Sequence, residues 1–257
     1  MWADFALFSE PYLVATSMLQ FNSGLTPNSI MDAPVHCRSD AYWTFCHEIE
    51  QLDCSRGLLN SVVAISMHFL PNTDARTVQL EIDEIADEIS SRVSSGYPRA
   101  LAAHLHHVLF EELGFHGDTD NYFNPRNSFL PHVLESKEGL PITLTIIYKL
   151  VAERLGLRVD GISTPGHFLA RLHVEDDSMI VDPFFGGQVL NADQIADRVA
   201  LTTGQRDVIS IDQLHSATNR QWVARVLANL IHIYSMQGCP QSIAALSELY
   251  DALKVTY

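Results

Sequence analysis

The sequence predicts an α+β protein: a helical first part, a core in which one buried helix feeds a small antiparallel sheet, and a helical hairpin at the end. Three observations predict this. Apolar residues recur at helical spacing as far as Gly114, an almost wholly apolar helical stretch runs from Pro141 to Leu155, and after Gly156 the apolar period shortens to alternation. The expected organisation is an extension over residues 1–45, a core domain with a helical N-terminal part over 46–215, and the hairpin over 216–257.

Leu58, Leu59, Val62, Ile65 and Phe69 make the first stripe, stopped by Pro71 and Asn72. Val78, Ile82, Ile85 and Ile89 make the second, with Glu81, Asp83, Glu84, Asp87 and Glu88 on the other faces, as in an amphipathic helix lying on a core. Leu101, Leu105, Val108, Leu109 and Leu113 make the third, closed by Gly114. Residues 115–137 lose periodicity and gain Gly117, Asp118, Asp120, Asn121, Asn124, Pro125 and Asn127, the composition of a structured loop. The helix predicted from Pro141 carries Ile142, Leu144, Ile146, Ile147, Leu150 and Val151 and must be buried on most sides. Strands are predicted at 158–163, 167–174, 178–182 and 188–190, separated by Pro165-Gly166, Glu175-Asp176-Asp177 and Gly186-Gly187. Trp222, Val226, Leu230 and Ile233, then Ile243, Leu246 and Leu249, form two final helices joined at Gly238-Cys239-Pro240.

Composition narrows the function classes. Thirty-one acidic residues against sixteen basic ones give a net charge of -15, with no local basic patch, so nucleic acid and anionic lipid are not expected partners. No apolar run approaches membrane-spanning length, and the first residues lack the basic start of a signal peptide. Four cysteines, Cys37, Cys46, Cys54 and Cys239, are few for this length, so reduced thiols in a cytoplasm are expected, although a disulfide among the first three is open. No cofactor is expected.

Chemistry is suggested where Pro165-Gly166-His167-Phe168-Leu169-Ala170-Arg171 is followed by Val181-Asp182-Pro183-Phe184. A turn-mounted histidine and an aspartate ending an apolar run are two members of a hydrolytic triad. If the strands 167–174 and 178–182 are antiparallel neighbours, the two side chains meet; a one-residue slip would turn one away. The competing structural role is turn chemistry, in which Pro183 extends Asp182 and the carboxylate satisfies loop amides.

Seven ordered blocks carry a resemblance: Glu112-Leu113-Gly114-Phe115; Asn124-Pro125-Arg126-Asn127-Ser128-Phe129-Leu130; Val133-Leu134-Glu135; Gly139-Leu140-Pro141-Ile142-Thr143-Leu144; Ala152-Glu153-Arg154-Leu155-Gly156-Leu157; Pro165-Gly166-His167-Phe168-Leu169; and Asp182-Pro183-Phe184-Phe185-Gly186-Gly187. Over roughly residues 50 to 250 the chain resembles the SirB-type N-terminal-domain family, a branch of the transglutaminase-like superfamily commonly followed by a tetratricopeptide-like helical tail. The resemblance implies a nucleophilic cysteine at the start of the buried helix, where unpaired N–H groups and the helix dipole stabilise a thiolate, with a histidine as base and an aspartate fixing its tautomer. It aligns Pro141 with that cysteine, so the implied nucleophile is missing, while proline suits a first helical position in its own right.

None of the four cysteines falls at a helix start facing His167 by any readable pattern. Ser128, Thr143 and Thr145 are hydroxyls near the helix start that a His167/Asp182 pair could activate, although helical Ser and Thr ordinarily bond to carbonyls one turn back. Arg126 and Asn127 either line the cleft beside His167 or satisfy backbone groups of their loop. His104, His107 and Glu111 on one helical face, and His36-Cys37 with Cys46-His47, have metal-ligand residue types without a structural zinc spacing, so no metal is expected. The leading expectation is a non-catalytic module that binds a protein partner through its cleft or its C-terminal helices. The alternative is a hydrolase or acyltransferase using a hydroxyl or an activated water, for which the discriminating geometry is whether His167 Nδ1 reaches the Asp182 carboxylate and what faces Nε2.

Overall fold

Helix α1 (Ser39–Glu48) is the first element of the part of the chain that the computed structural model describes, which comprises residues 33–94, 96–206 and 208–255; residues 1–32 of the expected extension lie outside it. Helices α2 (Ser55–Phe69), α3 (Ala75–Ser91) and α4 (Pro98–His106) follow where the three apolar stripes predict them. Asp74 caps α3 by accepting the Arg76 N–H, and Val78, Ile82 and Ile89 are buried on its inner face. The third stripe does not stay α-helical. After His106 the chain widens into a π turn over His107–Glu112, which shifts its later residues around the axis.

Residues 115–137 hold more order than their composition suggests. Strand β1 (His116–Gly117) pairs parallel with β2 (Glu138–Gly139), Pro125–Ser128 form a 3₁₀ turn, and helix α5 (Leu130–Ser136) buries Leu130, Val133 and Leu134 before Lys137 stops it at φ 65°. Seven residues make two turns, too few for a helical period to register.

Helix α6 (Pro141–Arg154) runs through the middle with every residue from Pro141 to Ala152 buried, packed between α3 and the sheet. Its Lys149 is satisfied inside the protein: Nζ donates to the Val159 carbonyl at 2.7 Å and pairs with Glu153, which also accepts from Ser55 of α2. The sheet has the order β6-β5-β4-β3-β7, with β3 (Arg158–Thr164), β4 (His167–Val174), β5 (Asp177–Asp182), β6 (Gln188–Leu190) and β7 (Ser216–Ala217), all antiparallel. Alternation sends Val159, Phe168, Ala170, Leu172 and Val181 into the main core with α6. Ile162, Leu169, Ile180 and Leu190 point the other way and meet Ile195 of α7 (Ala192–Thr203) in a second, smaller core. The fold is therefore α+β, with helix on both faces of the sheet.

Helices α8 (Asn219–Met236) and α9 (Pro240–Val255) form the predicted hairpin. Trp222 of α8 lies so close over β3 that a Cβ on Gly161 would meet its ring at 2.1 Å. From α9, the Glu248 carboxylate accepts the backbone N–H groups of Val35, His36 and Cys37, fastening the start of the described chain to its last helix. Among the described residues no helix is long and apolar enough to cross a membrane.

Candidate functional site

Gly166, at φ 68°, makes the turn that delivers His167 to the first position of β4, and Asp182 closes β5. The observed register pairs Ala170 with Val181, so Asp182 falls one step on, opposite Leu169, and shares a sheet face with His167 across a diagonal. His167 Nε2 stands 3.0 Å from both carboxylate oxygens of Asp182. The pair is buried, Asp182 completely. The carboxylate also accepts the Phe184 N–H at 3.2 Å, so it serves the following loop as well as the imidazole.

A third side chain joins them. Arg198 of α7 donates from Nε to Asp182 Oδ2 at 3.1 Å and from Nη2 to Gln188 Oε1 at 2.7 Å, and its guanidinium lies 3.9 Å from the centre of the Phe185 ring. With three donors converging on it, Asp182 acts as the acceptor and His167 Nε2 as an N–H donor, which leaves Nδ1 as the ring nitrogen outside this contact. The nitrogen left for chemistry is thus Nδ1, and it has no hydrogen-bond partner among the described residues. The Phe184 and Phe185 rings flank the imidazole at 5.8 and 6.0 Å, and Tyr122 stands against Phe184.

Pro141 occupies the first position of α6 and is buried; the helix has no side-chain cap, and its first backbone bond runs from Leu144 N–H to the Leu140 carbonyl at 3.0 Å. The Thr145 hydroxyl donates to the Pro141 carbonyl at 2.7 Å, the ordinary backbone role for a helical threonine. Thr143 and Ser128 differ: both hydroxyl oxygens are buried with no hydrogen-bond partner. Asn127 donates to Asp118 and to the Asn121 carbonyl, and its own carbonyl receives the Leu140 N–H, so it ties the loop to the helix start. Arg126 is exposed. Among the described residues no hydrogen bond joins Arg126, Asn127, Ser128, Thr143 or Thr145 to His167.

All four cysteines are free thiols. Cys37 and Cys46 lie buried on or beside α1, where burial pushes both thiols up, Cys37 to about 12, so neither is an activated thiolate. Cys54 precedes α2 and Cys239 sits in the α8–α9 turn. Of His104, His107 and Glu111, the π turn keeps the last two together: His107 meets Glu111 at 2.8 Å and also Glu112 at 3.0 Å. No group of three His, Cys, Asp or Glu side chains among the described residues could hold a metal ion.

Arg198 and α7 carry no motif that marks them in the sequence as part of the site. A signal for the helix exists in the capping box, where Asn191 accepts the Gln194 N–H and the Gln194 side chain returns the bond. Nothing local in the sequence says that this helix crosses the sheet face bearing Asp182.

Residues 76–228, more than half of the chain, match the sequence profile described as the transglutaminase-like superfamily. The chain is 36% identical over 183 residues to a UPF0162 protein of Xylella fastidiosa (strain 9a5c), which is 69% of this chain and 65% of that protein. It is 27% identical over 211 residues to a UPF0162 protein of Pseudomonas aeruginosa, 79% of this chain and 74% of that one. It is also 24% identical over 244 residues to human F-box only protein 21, 81% of this chain but 37% of that protein. The chain thus spans slightly less than two thirds of the Xylella relative. No solved structure matches it.

Proposed function

The chain belongs to the transglutaminase-like superfamily, and from that premise we propose that it is a non-catalytic member, of the SirB-type branch with a tetratricopeptide-like tail, that works in the cytoplasm as a binding or regulatory module. The observation that carries this reading is Pro141 at the first position of α6, where the resemblance calls for a nucleophilic cysteine. Support comes from the cysteines, which lie elsewhere, and from the Asp182 carboxylate, which divides its bonds between His167, Arg198 and the Phe184 amide as a structural node does. The partner is a protein, engaged through the aromatic rim beside His167 or through the α8–α9 hairpin.

Mapping with broad thiol-reactive probes tests the reading. Labelling of the native protein should fall on Cys54 and Cys239, with no activity lost; a labelled thiol whose modification abolishes a turnover that His167→Ala also abolishes would overturn it. Restoring sulfur with Pro141→Cys supplies a second arm. The new thiol should react faster than the same thiol in a Pro141→Cys, His167→Ala protein, because Nδ1 is the ring nitrogen open to act as its base.

One observation favours a second reading, the same unpartnered Nδ1 beside a held Nε2. A hydrolase or acyltransferase running on a hydroxyl, with buried Thr143 or Ser128 as candidates, or on an activated water would need that arrangement. It requires wild-type turnover of some ester, amide or peptide in a substrate panel, lost in His167→Ala; silence across the panel in both proteins rejects it.

A further inference from the structure

A second site lies away from His167. Between α4 and the outer edge of the sheet is a cavity of about 370 Å³, lined by Arg99, Ala102, Ala103 and His106 of α4 and by Val174, Asp177, Met179 and Val189 of β4, β5 and β6. It lies on the main-core face of the sheet, since Met179 pairs with Leu172 and Val189 with Val181. Two alanines where longer side chains would fill the wedge leave it open.

Its polar equipment is specific. His106 Nε2 lies 2.8 Å from the hydroxyl of Tyr148, a fully buried residue of α6. That hydroxyl has no other hydrogen-bond partner among the described residues, so it donates and Nε2 accepts; a buried O–H left undirected would cost more. Burial pushes His106 down and Tyr148 up, so both stay neutral. The proton of the neutral ring is therefore on Nδ1, and the group His106 has left to offer is an N–H donor. The π turn starts at the next residue, His107, and π turns in α-helices concentrate at functional sites.

The rim decides the charge of the occupant. Arg99 pairs with Glu175 at 3.0 Å, holding the β4–β5 turn in which Glu175 takes φ 56°. Asp177 carries a further negative charge there and accepts the Ser178 N–H at 2.8 Å. One cation against two carboxylates disfavours an anion, and a cation would find only a donor at the imidazole. We propose that this cavity binds a small uncharged molecule, apolar over most of its surface and carrying one carbonyl oxygen that accepts from His106 Nδ1–H. The volume is at the lower end of small-molecule sites, and a few placed polar groups in an apolar lining are their usual composition.

The test is a methyl-observed NMR titration of the full chain, labelled at alanine, valine and methionine, with 2-heptanone, hexanoate, hexylamine and toluene. Saturable shifts of the Ala102, Met179 and Val189 methyls with 2-heptanone, stronger than with the charged hexanoate or hexylamine, are expected. His106→Phe should weaken the ketone about tenfold, the worth of one good hydrogen bond, and leave acceptor-free toluene unchanged. Val189→Trp fills the cavity from an exposed edge position without touching the core and should abolish both, which keeps the test open if His106→Phe does not fold. No saturable shift with the ketone, tighter binding of hexanoate, or a ketone affinity indifferent to His106→Phe would each overturn the assignment.

Discussion

Asp182 shows how one side chain can be committed from several directions. Its carboxylate is fully buried, and His167, Arg198 and the Phe184 amide all donate to it. Asp182→Asn removes the charge and leaves Arg198 facing an uncharged amide, so we expect a loss of about 3 kcal/mol in urea unfolding, the scale for breaking a buried pair from one side. His106 makes a pH prediction. Burial holds its native pKa below the ordinary 6.5, so as pH falls through that value the unfolded chain takes up a proton the native ring refuses. Stability then declines as the pH falls below the ordinary histidine value of 6.5, and His106→Phe should flatten that decline in pH-dependent denaturation curves. At this scale the sequence is informative where partners are near in the chain: the turn at Gly166 and the short hairpin already bring His167 and Asp182 together. It is silent on which ring nitrogen faces the carboxylate and on Arg198, because both follow from how a separate helix docks on the sheet.

Helix α6 sets the arrangement of the elements, and its start tolerates more than its position implies. Pro141 stands where an N–H would have gone unpaired, so Pro141→Ala should cost only about 0.5–1 kcal/mol in thermal unfolding, chiefly through a freer unfolded chain. Gly161→Ala is the opposite case. Its methyl would run into the Trp222 ring, and forcing α8 off β3 should cost about 1–3 kcal/mol, read as a lowered midpoint with altered tryptophan fluorescence. Long segments were legible because α2, α3 and the hairpin strands each repeat an apolar pattern several times, and α6 because its apolar run is too long for a strand. Helix α5 was not, with only seven residues, and β7 has two residues whose pairing depends on β3 arriving beside them. The π turn after His106 has no periodic signature at all, since it breaks the pattern that a sequence reading follows.

The molecule as a whole is joined by a main core that runs from Cys37 to Leu253, so α1 and α9 belong to the same buried cluster as the sheet. Glu248 adds a polar tie to that apolar one. Glu248→Ala should speed amide hydrogen exchange at Val35, His36 and Cys37, which lose their shared acceptor, while the amides of α6 keep their protection. If the rates at all four places change together, the tie is part of the cooperative unit and not a local fastening. The same tie has a consequence for how the chain is made. A protein leaving the ribosome emerges N-terminal end first, and the carboxylate that anchors residues 35 to 37 is more than two hundred residues behind them. Those three amides wait through the synthesis of more than two hundred further residues before they find their acceptor, so the earliest part of the described chain is secured only after every other described element has been made.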